Sequence, residues 1–164
     1  MHLAQLLYLM LPVYLANMAP PFVRFWPGWN PPISVPLLGS HKTVIGFAAG
    51  VAVAVAAAFI QSRLRWYGSL LSPSHWLAAG FAAGFGAMAG DSLKSFFKRR
   101  LRIAPGQRWI PFDQLDFILG GLVALSFFVR LDWIDIALIC AISFVGDVLV
   151  NQLSFHLGIR ETRW

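Results

Sequence analysis

Apolar residues are gathered into five long runs along this chain, separated by segments rich in Pro, Trp, Lys and Arg. Such runs predict membrane-spanning helices, because in hydrocarbon each segment must satisfy its own backbone hydrogen bonds. A closed barrel needs alternating polarity, which the chain lacks. We therefore predict one domain, residues 1–164, folded as an all-α polytopic membrane bundle of about five transmembrane helices. The runs cover residues 3–19, 43–61, 76–97, 114–130 and 133–154.

Composition supports this interpretation. Of the 164 residues, 58% are hydrophobic and only 12% are charged, which is more apolar surface than a soluble fold of this size can bury. The net charge of +6 would suggest nucleic acid in a soluble protein, but in a membrane protein it more often reflects topology and anionic ligands. We expect no nucleic-acid partner, and we interpret the single cysteine, Cys140, as a small core residue.

Basic residues are unevenly distributed between the two sides that five alternating spans would create. Three of them, Arg63, Arg65 and Arg130, fall on one side. The other ten share the opposite side: Arg24, Lys42, Lys94, Lys98, Arg99, Arg100, Arg102, Arg108, Arg160 and Arg163. The positive-inside rule then predicts that the amino terminus is outside and that this basic face and the carboxyl terminus are cytoplasmic, in the cell membrane.

Prolines and glycines form two further patterns in the sequence. Six prolines interrupt residues 20–42, so we expect an irregular segment held at the membrane interface by Trp26 and Trp29. Three glycine pairs have the small-xxx-small spacing that lets helix backbones approach closely, which predicts tight bundle packing. These pairs are Gly46/Gly50, Gly80/Gly84 and Gly86/Gly90.

Polar residues in the third run form one helical face. Asp91, Lys94, Ser95 and Lys98 stand at i, i+3, i+4 and i+7, so they point in one direction. A charge facing lipid costs at least about 2.5–3.5 kcal/mol, so this face predicts a polar cavity. The plainer interpretation is an Asp91–Lys94 pair that only joins helices.

A second acidic pair, Asp113 and Asp116, follows the basic loop at i, i+3 spacing near the start of the fourth run. Paired carboxylates suit Mg²⁺, which takes a few protein carboxylates together with substrate phosphate oxygens. The plainer interpretation is that they complement a helix amino-terminal dipole. The basic residues within positions 98–108 lie between the two acidic sites. This position favours a role in phosphoryl chemistry over a role in topology or lipid contacts alone.

The segment Gly90-Asp91-Ser92-Leu93-Lys94-Ser95-Phe96-Phe97-Lys98-Arg99-Arg100, followed by Pro111-Phe112-Asp113-Gln114-Leu115-Asp116-Phe117 and Gly120, resembles the membrane cytidylyltransferases that make CDP-linked lipids, in particular the CDP-archaeol synthase family. Asn17, Gly39-Ser40-His41-Lys42-Thr43 and Leu157-Gly158-Ile159-Arg160 with Trp164 match further family features. One departure is that Val44-Ile45 stands where the family has Trp-Arg.

The resemblance implies CTP-dependent transfer of a cytidylyl group to a lipid phosphate, with release of pyrophosphate and with Mg²⁺ as cofactor. Its expected acceptor is 2,3-bis-O-geranylgeranyl-glycerol 1-phosphate. The catalytic candidates are Asp91, Lys94, Lys98, Asp113 and Asp116, with Asp91, Asp113 and Asp116 as metal ligands. The substrate-binding candidates are Asn17, His41, Lys42, Thr43, Ser95, Arg99, Arg100 and Gln114.

Three alternatives stay open on the sequence alone. One is a CDP-diacylglycerol-type synthase acting on phosphatidic acid. Another is a small ion or substrate transporter, since intramembrane charges also mark transport pathways. The clustering of polar residues at one face and the absence of a repeated half disfavour a transporter. The third is a noncatalytic scaffold whose charges serve topology and helix docking.

Overall fold

In the part of the chain that the structure describes, five long helices occupy the five apolar runs. The computed structural model describes residues 2–23, 26–104 and 107–156. Outside these ranges lie Arg24 and residues 157–164, which include Arg160, Arg163 and the terminal family features. The long helices are α1 (His2–Met18), α4 (Val44–Leu64), α5 (Trp76–Arg100), α6 (Phe112–Leu125) and α7 (Trp133–His156). Between them lie α2 (Pro20–Val23), α3 (Val35–Leu38) and a 3₁₀ turn, Pro73–His75. The predicted all-α membrane bundle is confirmed.

Several helix ends differ from the predicted bounds, by up to five residues. α6 ends at Leu125, five residues early, and Ser126 and Phe128 form a turn in which Phe128 N–H donates to the Leu125 carbonyl. α5 continues to Arg100, beyond the predicted residue 97. Basic side chains in its last turn favour this extension, because they complement the negative end of the helix dipole.

Within the described ranges, three helical segments are both long and apolar enough to cross a membrane: residues His2–Val23, Val44–Leu64 and Trp133–Val150. α5 is long enough but carries several charges in its second half, and α6 has only 14 residues, roughly 21 Å. Even so, α5 exposes Leu77, Phe81 and Phe85 at every fourth position, as a lipid-facing helix does. A span count of five remains a prediction.

Small residues bring the helices together. α1 contributes a buried face that includes Leu6, Met10 and Val13. Gly80 and Gly84 of α5 lie against α4, and Gly86 and Gly90 lie against the backbone of α6. The predicted role of these two glycine pairs in packing is confirmed, and α5 is thereby held between α4 and α6.

The long helices alternate in direction, which gives the bundle two distinct ends. His2 Nε2 lies 2.7 Å from Asp135 Oδ1, and Gln61 Nε2 donates to the Tyr8 carbonyl at 2.6 Å. The amino ends of α1 and α7 and the carboxyl end of α4 therefore share one end, here called the distal end. The other, called the charged end, holds Lys42, Asp91 and the start of α6.

The described residues of segment 20–42 are irregular, as predicted, with α2 and α3 as single turns. Trp26 and Trp29 are exposed. The segment closes against the start of α4, because Ile33 N–H donates to the Lys42 carbonyl at 2.8 Å and Pro32 pairs with Thr43 in an isolated bridge. This places residues 41–43 beside α5 at the charged end.

Candidate active site

Lys94 stands among three carboxylates at the charged end. Its Nζ lies 3.1 Å from Asp91 Oδ1, 2.6 Å from Asp116 Oδ2 and 3.6 Å from Asp113 Oδ1. Asp91 is one turn earlier on α5, and the other two come from the first turns of α6. The structure thus brings together, around one ammonium group, the acidic residues predicted from two separate motifs. The Lys94 and Asp116 side chains are largely buried.

Close contact between α5 and α6 sets this spacing. A Cβ added to Gly90 would collide with the Asp116 carbonyl oxygen, and one added to Gly86 would collide with the Gly120 carbonyl oxygen. Because Asp91 follows Gly90 directly, the backbones that carry Asp91 and Asp116 are in contact. Only glycine at position 90 permits this approach.

Lys42 adds a second cation from another part of the chain. Its ammonium forms an ion pair with Asp91 Oδ2, so this carboxylate is held between Lys42 and Lys94. The next residue, Thr43, caps α4: its Oγ1 accepts a hydrogen bond from Gly46 N–H at 3.2 Å. Thr43 therefore stabilises the start of α4, and its role in substrate binding stays a prediction.

The family departure, Val44-Ile45, lies in the first turn of α4. Ile45 N–H donates to Asn30 Oδ1 at 3.2 Å, and Val44 N–H donates to the Pro31 carbonyl at 3.1 Å. The backbone N–H groups of Val44 and Ile45 thus hold the segment before α4 against the start of the helix. Lys42, two residues before this turn, brings positive charge to Asp91.

Lys98 and Asp113 join the basic loop to the cluster. Lys98 is 8% exposed, and its Nζ lies 2.9 and 3.0 Å from the two oxygens of Asp113. It also donates to the Gln107 carbonyl, while Trp109 N–H donates to Asp113 Oδ2 at 2.7 Å. Sequence reasoning missed Gln107 and Trp109, because backbone groups leave no signal in a residue pattern.

The remaining predicted binding residues differ in their burial. Ser95 is buried, but its hydroxyl donates to the Asp91 carbonyl at 3.0 Å and so serves the helix. Arg100 is exposed beside the Phe96 ring. Among the described residues, Arg99 Nε and Gln114 Oε1 are buried and find no hydrogen-bond partner. Buried polar atoms of this kind usually bind water or a ligand.

A small cavity of about 60 Å³ opens next to Asp91. It lies between α5 and the segment that leads into α4. Its lining consists of Pro20, Ile33, His41, Lys42, Thr43, Gly46, Phe47, Met88, Asp91 and Ser92. His41 is exposed at its rim. Asn17, half-buried in the last turn of α1, is outside this lining.

The cluster balances charge internally, with three carboxylates matched by the ammonium groups of Lys42, Lys94 and Lys98. Carboxylate oxygens are the donors that Mg²⁺ prefers, and those of Asp91 and Asp116 each keep a lone pair beyond their one present contact. The donor set therefore fits this ion chemically. In the described residues no three acidic, His or Cys side chains meet around an open point, because Lys94 occupies the centre.

Comparisons with known proteins identify the family of this chain. The family model for CarS-like CDP-archaeol synthase matches residues 2–164. A CDP-archaeol synthase from Methanospirillum hungatei is 33% identical over 135 residues, which cover 78% of this chain and 81% of that protein. One from Sulfurisphaera tokodaii is 32% identical over 163 residues, covering 94% and 92%.

A solved structure described as an intramembrane enzyme for archaeal membrane lipids biosynthesis is 30% identical to this chain. It superposes with a TM-score of 0.68 and covers 88% of this chain and 91% of its own. The resemblance seen in the sequence motifs is confirmed, and the chain is a membrane protein. It belongs to the CDP-archaeol synthase family of CTP-dependent lipid cytidylyltransferases.

Proposed function

We propose that this protein transfers the cytidylyl group of CTP to 2,3-bis-O-geranylgeranyl-glycerol 1-phosphate, forming a CDP-activated ether lipid and pyrophosphate. The observation that carries the proposal is the cluster of Asp91, Lys94, Asp113 and Asp116 at one end of a membrane bundle in a chain of this family. A lipid phosphate can reach this end with its chains still in the bilayer, while CTP arrives from water. Family membership favours this reaction over transport.

In the proposed reaction, an oxygen of the lipid phosphate attacks the α-phosphorus of CTP. The bond from that phosphorus to the bridging oxygen breaks, and pyrophosphate leaves. A phosphate monoester is already anionic at neutral pH, so no protein base is needed. Catalysis then consists of positioning and charge neutralisation, for which Lys94, Lys98, Arg99 and Arg100 are the proposed cations.

Asp91, Asp113 and Asp116 are the proposed Mg²⁺ ligands. Bound there, the ion would neutralise phosphate charge and orient the triphosphate. Lys94, already in contact with all three carboxylates, lies where it can also reach a phosphate oxygen. Arg99 Nε and Gln114 Oε1 have unused hydrogen-bonding capacity, which supports their proposed role in substrate binding along with Asn17, His41, Lys42, Thr43 and Ser95.

The reaction is tested with purified protein in detergent, Mg²⁺, labelled CTP and a panel of lipid phosphates. We expect pyrophosphate release with the geranylgeranyl ether acceptor and a lower rate with phosphatidic acid. Equal or faster reaction with phosphatidic acid would favour the diacylglycerol-type alternative instead. If no acceptor supports pyrophosphate release, the proposed enzyme activity is wrong.

The metal assignment is tested with Asp113→Asn and Asp116→Asn, each expected to lower the rate by about a hundredfold or more. Asp132→Asn is the control, because Asp132 is exposed at the distal end. Mn²⁺ binding followed by electron paramagnetic resonance gives a second measurement, and we expect both cluster variants to bind Mn²⁺ more weakly than the control. Unchanged Mn²⁺ affinity in both would show that these carboxylates are not ligands.

We also propose that the charged end faces the cytoplasm of the cell. Seven described basic residues lie at this end or in its loops, against Arg63, Arg65 and Arg130 at the distal end, and the positive-inside rule then sets the orientation. A reporter active only in the cytoplasm, inserted in the loop of residues 101–111, is expected to be active. Activity only when it is fused before His2 would reverse the proposed topology.

A further inference from the structure

A basic groove lies at the distal end, between the end of α4 and the start of α5. Its volume is about 310 Å³, and it is lined by Phe59, Ser62, Arg63, Arg65, Pro73 and Trp76. α5 runs from Trp76 at this groove to Asp91 in the candidate active site, roughly 22 Å at about 1.5 Å per residue. The groove is therefore separate from the site of the proposed reaction.

The groove carries positive charge that the protein does not neutralise. No acidic side chain is among its lining residues. In the part of the chain that the structure describes, neither Arg63 nor Arg65 forms an ion pair, and Asp135 at the same end is bonded to His2. Two exposed guanidinium groups in one groove suit an anion with several oxygens, such as a phosphate.

The opposite wall of the groove is apolar. Phe59 is 46% exposed, and its ring meets Trp76 edge to face with centroids 5.2 Å apart. Both lie where α4, one of the apolar spans, comes to its end at Leu64. Trp and Arg at the end of a span are typical of the boundary between hydrocarbon and water. A ligand that uses the whole groove needs an anionic group and an apolar part.

We propose that this groove binds the headgroup phosphate of an anionic membrane lipid. The phosphate would lie on Arg63 and Arg65, and the adjoining part of the lipid against Phe59 and Trp76. The Ser62 hydroxyl donates to the Phe59 carbonyl at 2.6 Å, so recognition of the phosphate rests on the two guanidinium groups. Free phosphate would use those groups but leave the aromatic wall without a partner.

Membrane topology does not account for this arrangement. The bias of basic residues towards the charged end explains why the distal end has few of them. It does not explain why two of the three at that end line one groove, two residues apart and beside the Phe59–Trp76 pair. A specific lipid contact accounts for both the charge and the aromatic wall.

The test measures lipid binding to the full chain in detergent by native mass spectrometry. An anionic lipid with a phosphoglycerol headgroup is compared with a zwitterionic phosphocholine lipid that has the same chains. Because each arginine supplies one positive charge to the phosphate, the double variant Arg63→Gln/Arg65→Gln is expected to bind the anionic lipid about thirtyfold more weakly. Arg130→Gln, which removes a distal cation outside the groove, is the matched control and is expected to bind like the unchanged protein.

Three results would overturn the proposal. Equal binding of the two lipids to the unchanged protein would remove the phosphate preference, and an equal loss in Arg130→Gln would make the effect one of general charge. Displacement of the lipid by an equimolar amount of inorganic phosphate would assign the groove to free phosphate. The double variant is expected to keep its rate of cytidylyl transfer, because the groove is remote from the charged end.

Discussion

Replacing Lys94 with methionine is expected to lower the rate of cytidylyl transfer by about a hundredfold to a thousandfold, the range found when one preorganised electrostatic contact is removed from an active site. Lys94 contacts Asp91, Asp113 and Asp116, so among the described residues no other single side chain touches as much of the cluster. Methionine replaces the apolar stem of lysine with a chain of similar shape but lacks the charged ammonium group. The measurement is pyrophosphate release at saturating CTP and lipid phosphate.

The same substitution is expected to destabilise the protein, because removal of one partner from a buried ion pair costs about 3–5 kcal/mol. A loss of activity could then reflect unfolding alone. The double variant Lys94→Met/Asp91→Asn separates the two effects, since it removes a positive and a negative charge together. We expect the double variant to regain part of the thermal stability but none of the activity.

Either of two outcomes would contradict this account of Lys94. If Lys94→Met is folded and transfers cytidylyl groups at the normal rate, its charge does not serve the reaction. If the double variant regains activity together with stability, Lys94 only neutralises Asp91. The second outcome would favour the plainer interpretation, in which the Asp91–Lys94 pair simply joins helices.

The helices could be located from the sequence because the bilayer imposes a simple rule on apolar runs. All five runs became helices, and the i, i+3 spacing of Asp91 and Lys94 correctly put the two side chains in contact. The end of α6 could not be located in this way. Phe127 and Phe128 continue the apolar run, but the turn after Leu125 ends the helix, and hydropathy does not distinguish a helix from a turn.

The sequence indicates which residues belong to the cluster, but not which side chains form ion pairs or hydrogen bonds with one another. In the structure Lys98 binds Asp113 and the Gln107 carbonyl, two partners that its position in the sequence does not indicate, while its contact with a phosphate stays a prediction. Lys42 was placed at the same membrane face from its position in the chain, but its ion pair with Asp91 depends on how residues 20–42 fold back on α4. Such contacts arise from tertiary structure, which residue spacing does not encode.

Close contact between α5 and α6 underlies the second large effect that we expect, from the substitution Gly90→Ala. The new Cβ would overlap the Asp116 carbonyl oxygen, and a backbone atom cannot move aside as a flexible side chain can. The two helices must separate where they carry Asp91 and Asp116. Overpacking of this kind costs about 1–3 kcal/mol, and a shift of about 1 Å in an active site can lower the rate about a hundredfold.

Gly146→Ala is the matched control for this substitution. Gly146 is also inside a long helix, α7, but a Cβ there would meet nothing within 4 Å. Alanine favours a helix over glycine by up to about 1 kcal/mol, so Gly146→Ala is expected to leave activity unchanged and stability equal or slightly higher. Thermal unfolding and pyrophosphate release, measured for both variants, test the difference. Normal activity in Gly90→Ala would show either that the distance between Asp91 and Asp116 does not depend on backbone contact at Gly90 or that the cluster tolerates separation of the two helices that carry it.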